Sequence, residues 1–322
     1  MKPTILLTGK GGQLGGELGR LLPSLGPVIA PERGAMDLYS PDQIRQLLRH
    51  ARPQLVVNAA AYTAVDAAES DQANALAANA EGPRVLAFES KKLGATLVHF
   101  STDYVFDGAK RTPYLESDAT GPLNAYGRSK LAGESAIRDS GAAHLIFRTS
   151  WVYAIHGRNF LRTILRLATE REELRVIDDQ IGAPTCAADL AEATVRILAS
   201  VINKNARPGC SEVSGTYHMT AAGQTSWYEF AKAILEQASA APPGLPWLSA
   251  ITNGRPLIAR RVVPIPTAEF GSPTRRPAYS VLCNERLKQD FGVALPDWRS
   301  QLQKCFSAEL TPTDPAAAVS PR

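Results

Sequence analysis

The chain has 322 residues, a net charge of +4, 44% hydrophobic and 20% charged residues. That balance fits a soluble globular protein of one large α/β unit or two lobes and excludes a disordered chain. The charge is too weak and too dispersed to point to nucleic acid or a membrane surface as partner, although Arg260-Arg261 and Arg275-Arg276 form tight basic pairs.

In chain order, Ile5-Leu6-Leu7 is too short for a signal peptide and runs straight into a glycine-rich turn. No apolar run approaches the ~18–20 residues of a membrane span. Continuous apolar strands are expected over residues 4–8, 27–30, 55–58, 96–100 and 144–148. Helical stretches are expected between them, over 13–22, 41–50, 71–93 and 125–139. Apolar strands alternating with helices predict a Rossmann-type α/β fold, a doubly wound parallel sheet covered on both faces. Beyond residue 150 the pattern loosens. Helices are expected over 159–171, 187–201, 226–238, 284–290 and 297–310, and an irregular proline-rich excursion over 241–266. Residues 1–150 therefore read as a dinucleotide-binding domain to which later segments return. Residues 151–310 read as a smaller, irregular C-terminal substrate lobe, and 311–322 as a disordered tail. Cys186, Cys210, Cys283 and Cys305 lie far apart without a C-x-x-C pair or a nearby histidine at ligand spacing. They read as reduced structural thiols of a cytoplasmic protein, not as a metal site.

The first strand ends in Thr8-Gly9-Lys10-Gly11-Gly12-Gln13-Leu14-Gly15. A Gly-x-x-Gly-x-x-Gly turn between a strand and a helix suits a dinucleotide. A side chain there would block the pyrophosphate, and the helix N-terminus offers it free N–H groups. After the second strand stand Glu32 and Arg33. An acid can bind the ribose 2′-OH of NADH and an arginine the 2′-phosphate of NADPH, so both cofactors stay open. Asp37 and Leu38 follow at the expected border of the adenine.

Strand four leads into Ser101-Thr102-Asp103-Tyr104-Val105-Phe106, and Tyr126-Gly127-Arg128-Ser129-Lys130 falls inside a helix. Tyr126 and Lys130 are four apart and share a helix face. A phenol titrates near ~10, and an adjacent ammonium would favour its ionised form and lower that value. Thr102, at a strand's carboxyl end, can hold a substrate oxygen. These three are the candidate catalytic residues.

These motifs, with Asn58-Ala59-Ala60-Ala61-Tyr62-Thr63 and Arg148-Thr149-Ser150-Trp151-Val152-Tyr153, resemble the extended short-chain dehydrogenase/reductase superfamily. Adding Asp179–Thr185 and Arg275-Arg276-Pro277 narrows the resemblance to the dTDP-4-dehydrorhamnose reductases, over essentially the whole chain except the tail. The resemblance implies hydride transfer from NADPH or NADH to C4 of a dTDP-linked keto sugar. Tyr126 would be the general acid, Lys130 would tune it and bind the nicotinamide ribose, and Thr102 would hold the carbonyl. It implies cofactor contacts at Gly9, Gly12, Gln13, Leu14, Asp37, Leu38, Ala61, Tyr62, Thr63, Tyr126 and Lys130. The sugar nucleotide would meet Thr102, Asp103, Tyr104, Trp151 and at least one of Arg275 and Arg276. Some relatives use a metal-bridged dimer. Glu17 could supply one carboxylate, but Ala183-Pro184-Thr185 is followed by Cys186-Ala187-Ala188-Asp189, so the chain departs from that pattern and both a bridging Mg²⁺ and a homodimer stay open.

Other residues have plainer readings. Asp66 and Glu69 are spaced as a helix capping box. His99 and His156 read as structural or solvent-facing. No second acid follows Asp103, which argues against sugar-nucleotide dehydration. Two alternatives remain: reduction of another nucleotide-linked keto sugar, and a non-catalytic nucleotide-binding regulatory subunit.

Overall fold

The computed structural model describes residues 2–205, 214–242 and 244–307; Cys210 and the expected tail lie outside them. Five strands come from the first half: β1 (Ile5–Thr8), β2 (Val28–Ile29), β3 (Leu55–Asn58), β4 (Thr96–Thr102) and β5 (His144–Thr149). Between them run α1 (Gln13–Leu21), α2 (Pro41–Ala51), α3 (Gln72–Leu76), α4 (Gly82–Leu93) and α5 (Ala125–Ser140). The strands pair in parallel, and their side chains alternate between two cores. Ile5, Leu7, Val57, Val98 and Phe147 face one, whereas Leu6, Val56, Leu97 and Ile146 face the other. Burial on both faces explains why these strands read as unbroken apolar runs.

The expected helix over 71–93 is interrupted by a π-helical turn at Ala77–Glu81. Pro83 lacks the N–H that would bond Asn79 O, so the regular ladder cannot continue through this point. At this turn the Asn79 side chain bonds the backbone of Tyr62.

The second half supplies β6 (Val152–Tyr153), α6 (Phe160–Ala168), β7 (Glu173–Ile177), β8 (Ile181–Gly182), β9 (Thr185–Cys186), α7 (Ala187–Asn205), β10 (Gly215–His218) and β11 (Thr225–Ser226). It continues with α8 (Trp227–Ala240), α9 (Pro246–Thr252), β12 (Arg261–Ile265), α10 (Thr267–Phe270), α11 (Glu285–Phe291) and α12 (Trp298–Cys305). β10 returns to the main sheet beside β5 and completes a six-stranded order β10-β5-β4-β3-β1-β2. The excursion over 241–266 is more regular than its prolines suggest. It contains α9 and β12, and β12 pairs in parallel with β7 from Arg261↔Glu173 to Ile265↔Ile177. Pro264 is tolerated there because the pair is only two strands wide, leaving an edge that needs no donor. A separate core of Leu161, Ile164, Phe230, Trp247 and Trp298 holds these elements together.

In the main sheet the chain leaves β1 for β2 on one side and then starts β3 on the other. Ligands of such sheets bind at the carboxyl ends of the strands where the winding reverses. Thr8, Asn58 and Thr102 end their strands at that edge.

Candidate active site

A cleft of about 280 Å³ opens at this edge, walled by Thr8–Gly12, Pro31–Arg33, Met36–Tyr39, Ala60, Ala61 and Ala78. Its floor requires glycine. Gly9 has φ +74°, and a Cβ there would lie 2.6 Å from Ala60 N. A Cβ on Gly15 would lie 1.9 Å from Gly9 O. Gly12 caps α1 without any side-chain bond, so the first N–H groups of the helix stay free for an anion. The cleft thus fits a dinucleotide pyrophosphate. Glu32 is exposed on its rim, and Arg33 Nε reaches Asp37 Oδ2 at 3.4 Å. Gln13 turns its amide to Asn159 Nδ2 at 2.8 Å, tying α1 to the N-cap of α6. Leu38 is buried in the cleft wall, whereas Leu14 is buried in the core and does not line the cleft.

The loop carrying Ala61, Tyr62 and Thr63 is pinned by Asn79. Its amide accepts from Tyr62 N at 2.8 Å and donates to Tyr62 O at 3.0 Å, and it also donates to Ser129 Oγ at 2.9 Å. The sequence reading missed Asn79. The Gly82-Pro83 break beside it was the available signal, since π-turns gather at functional sites.

Thr102 ends β4 and caps the turn Asp103–Val105, its Oγ1 accepting from Tyr104 N at 3.1 Å. α5 is pressed against that turn, for a Cβ on Gly127 would lie 2.2 Å from Tyr104 O. This brings Tyr126 beside Thr102 and edge-on to Tyr104, with ring centroids 5.9 Å apart. Tyr126 is partly exposed, so it is not walled off from the crevice.

The expected lowering of the phenol's pKa by Lys130 is not what the geometry produces. Burial, then the Asp103 carboxyl, push Tyr126 up to about 12, and only the Thr102 hydroxyl opposes them. Lys130 Nζ is instead directed to Phe100 O at 2.6 Å and to His99 Nε2 at 3.2 Å. Burial pulls Lys130 down to about 8, with the Glu134 carboxylate opposing. His99, read from sequence as structural or solvent-facing, therefore contacts a catalytic candidate. Asn58 Nδ2 lies 2.9 Å from His99 Nδ1, and the Thr8 hydroxyl donates to Asn58 Oδ1 at 2.6 Å. A buried polar chain thus runs from the cleft wall to Lys130.

Trp151 follows β5 with φ +48°, a left-handed backbone that a bulky side chain rarely adopts. It stacks on Trp227 at 3.5 Å and 6°, and Gly182 leaves room for the indole, since a Cβ there would lie 2.5 Å from it. Trp227 Nε1 donates to Gln180 Oε1 at 3.2 Å. The sequence reading found Trp151 but not its partner, which lies far along the chain.

Asp66 and Glu69 do not form the expected capping box. Asp66 has helical φ/ψ and makes no cap bond. Its carboxylate instead grips Arg276 Nη2 at 2.8 and 2.9 Å, and Glu69 Oε1 accepts from Ala125 N at 2.7 Å at the start of α5. Arg276 is thereby committed within the protein, while Arg275 is exposed and its carbonyl accepts from Asn124 Nδ2 at 2.9 Å. Glu17 faces His156 Nε2 at 3.2 Å, and Asp189 faces Lys304 Nζ at 3.1 Å. Among the described residues no three His, Cys, Asp or Glu side chains converge as a metal would require.

The profile of the family described as RmlD substrate binding domain matches residues 1–310. The chain is 50% identical over 301 residues to a dTDP-4-dehydrorhamnose reductase of Burkholderia thailandensis, covering 94% of this chain and 97% of that one. It is 44% identical over 313 residues to a dTDP-4-dehydrorhamnose reductase of Escherichia coli, covering 96% and 99%. The crystal structure of dTDP-4-dehydrorhamnose reductase from Bacillus anthracis in complex with NADP aligns with a TM-score of 0.81 at 36% identity, covering 95% and 99%.

Proposed function

The chain belongs to the dTDP-4-dehydrorhamnose reductase family, and on that premise we propose how its residues divide the work of the reaction. It reduces the C4 ketone of dTDP-4-dehydro-L-rhamnose to dTDP-L-rhamnose. The reduced nicotinamide of NADPH or NADH supplies the hydride. Tyr126 gives its proton to the developing alkoxide, and at a pKa of about 12 it carries that proton at any neutral pH. Thr102 holds the carbonyl oxygen. Lys130, anchored by two of its contacts, keeps a third N–H for the nicotinamide ribose. The glycine turn and the free N–H groups of α1 hold the pyrophosphate, and Asn79 steadies the 61–63 loop. Trp151 and Tyr104 hold the sugar. Arg275 is the arginine left to meet the diphosphate, because Arg276 is occupied by Asp66. Residues 151–310 act mainly on the substrate.

The observation that carries this reading is the meeting of Tyr126 and Thr102 at the carboxyl end of β4, next to a glycine-floored cleft at the sheet's reversal. Among the described residues no helix is long and apolar enough to cross a membrane. The soluble cofactor and nucleotide-linked substrate are consistent with a cytoplasmic enzyme.

The test follows NADPH and NADH oxidation with the 4-keto-6-deoxy sugar linked in turn to dTDP, UDP and GDP. The dTDP sugar is expected to give kcat/KM at least about tenfold above the others, because UDP lacks the thymine methyl and adds a ribose 2′-OH, and GDP carries a larger base with different donors and acceptors. A UDP or GDP sugar turning over faster assigns the chain to another keto sugar. No turnover with any of them supports the regulatory alternative.

The cofactor's 2′-phosphate falls to Arg33. Its guanidinium is 77% exposed and only loosely paired with Asp37. Arg33→Ala is expected to raise KM for NADPH about tenfold, the worth of one charge-assisted bond, and to leave KM for NADH nearly unchanged. An unchanged NADPH/NADH ratio rules Arg33 out.

A further inference from the structure

We propose that Asp103 is a positioning residue that acts through Thr102: protonated, it frees the Thr102 hydroxyl to donate to the substrate carbonyl, and ionised, it takes that hydroxyl for itself. The proposal rests on the reading of Thr102 as the carbonyl donor.

A threonine hydroxyl has one proton and two lone pairs. One lone pair of Thr102 Oγ1 accepts from Tyr104 N at 3.1 Å. The same Oγ1 lies 3.0 Å from Asp103 Oδ1. An ionised carboxylate can only accept, so against it Thr102 must spend its single proton on Asp103. Nothing then remains to hold a carbonyl oxygen. A carboxylic acid reverses the bond. Its O–H donates to the second lone pair of Thr102 Oγ1, and the Thr102 proton turns to the substrate. In that state the hydroxyl's positions go to Tyr104 N, the Asp103 acid and the substrate, and the neighbouring Tyr126 phenol turns its own proton to the same substrate oxygen.

The surroundings favour the acid. Asp103 is 2% exposed, and its Oδ2 is buried without a hydrogen-bond partner. A buried carboxylate with an orphaned oxygen is costly, and the neutral acid is less so. Burial raises its pKa to about 7, against the lowering effect of Ser280, Thr102 and the backbone N–H groups of Asp103 and Tyr104. Ser280 approaches closely enough to have that effect without completing a hydrogen bond to Oδ2. The other titratable or charged groups facing this pocket are Tyr126 from α5, Tyr104 from the same turn, and Arg276, which faces Tyr104 but is held by Asp66. Asp103 was expected from sequence to touch the sugar. Its burial beneath Thr102 gives it an indirect route to the same oxygen.

The test compares the pH dependence of kcat in the native enzyme and in Asp103→Asn, with NADPH and the dTDP sugar saturating. The asparagine amide is a donor that cannot be titrated. Native kcat is expected to fall as pH rises through about 7, where Asp103 ionises, whereas the variant falls only as Lys130 loses its proton at about 8. The variant-to-native ratio of kcat should therefore rise about tenfold between about pH 6 and about pH 8. A merely structural Asp103 gives a ratio that is constant with pH, and that result overturns the proposal. If Asp103→Asn does not fold, carbon NMR of the aspartate carboxyls in the native enzyme decides. One carboxyl titrating near neutrality supports the proposal, and every carboxyl ionised well below it overturns it. A parallel Thr102→Val variant separates the two readings. Its kcat is expected to fall about a hundredfold. Native-like turnover in Thr102→Val removes Thr102 from the reaction. Slow Thr102→Val together with a constant Asp103→Asn ratio removes only Asp103.

Discussion

Tyr126→Phe lowers kcat by about 10²–10⁴-fold and leaves the NADPH dissociation constant within about twofold of native. The substitution deletes one oxygen and keeps the ring. That ring packs edge-on against Tyr104 and joins a small cluster with Ala68, Ala75 and Ala125, so the start of α5 has no reason to move. Asn124 still caps the helix through Gly127 N at 2.8 Å. What disappears is the proton. Because the phenol is held at about 12, the native enzyme presents it protonated throughout the neutral range, and the alkoxide formed by hydride addition is a far stronger base than a phenolate. Transfer therefore runs downhill without an ammonium to assist it. Water reaching the same point could replace the phenol only with a worse geometry. Single-turnover measurement of NADPH oxidation, with cofactor binding followed by fluorescence, checks both halves. A variant within about threefold of native kcat means that another group supplies the proton.

The parts of this site that were legible in the sequence are the local ones. Gly9, Gly12 and Gly15 lie within seven residues, and Gly12 and Gly15 are crowded by Gly9 itself, although Gly9 is crowded by Ala59 and Ala60 just beyond β3. Tyr126 and Lys130 share one helix, so their spacing already states that they share a face. The parts that were not legible depend on distant pairing. Asp66 reads as a cap until Arg276 arrives 210 residues later to take its carboxylate. Glu69 serves a helix start 56 residues away. Trp227 stacks on Trp151 only because α8 folds back over the end of β5. β12 hides in a proline-rich segment because Pro264 argues against a strand that Val262, Val263 and Ile265 favour, and only pairing with β7 decides between them. His99 is a different case. It sits in an apolar strand as core histidines do, and only the parallel register that sets Asn58 beside it shows that its ring has polar work on both sides.

Lys130→Met lowers kcat by about a hundredfold, raises the NADPH dissociation constant about tenfold, and removes a pH-dependent destabilisation of the folded protein. Methionine keeps the apolar stem and deletes the ammonium, so the packing of α5 against β4 is retained. Phe100 O loses its donor, His99 Nε2 loses the polar neighbour beside it, and the chain through Asn58 to Thr8 loses its end. That loss reaches the cleft wall, because Thr8 precedes Gly9 directly. The stability effect has a definite sign. Burial lowers Lys130 from 10.5 to about 8, so the folded enzyme gives up this proton before the unfolded chain does. Between those two values the unfolded chain binds more protons, and native stability rises with pH. Below about 8 the charge is carried in both states and its burial costs about 3 kcal/mol, which is recovered in full only above 10.5. Other lysines and tyrosines titrate in the same window, so the quantity to measure is the difference between native and variant in denaturant unfolding at each pH. That difference should grow in the native enzyme's favour by up to about 3 kcal/mol from about pH 8 to pH 10.5. A difference that stays flat across the window would mean that Lys130 is not charged in a dry site, and the ammonium near the ribose would then be an ordinary solvated cation whose loss costs binding but little catalysis.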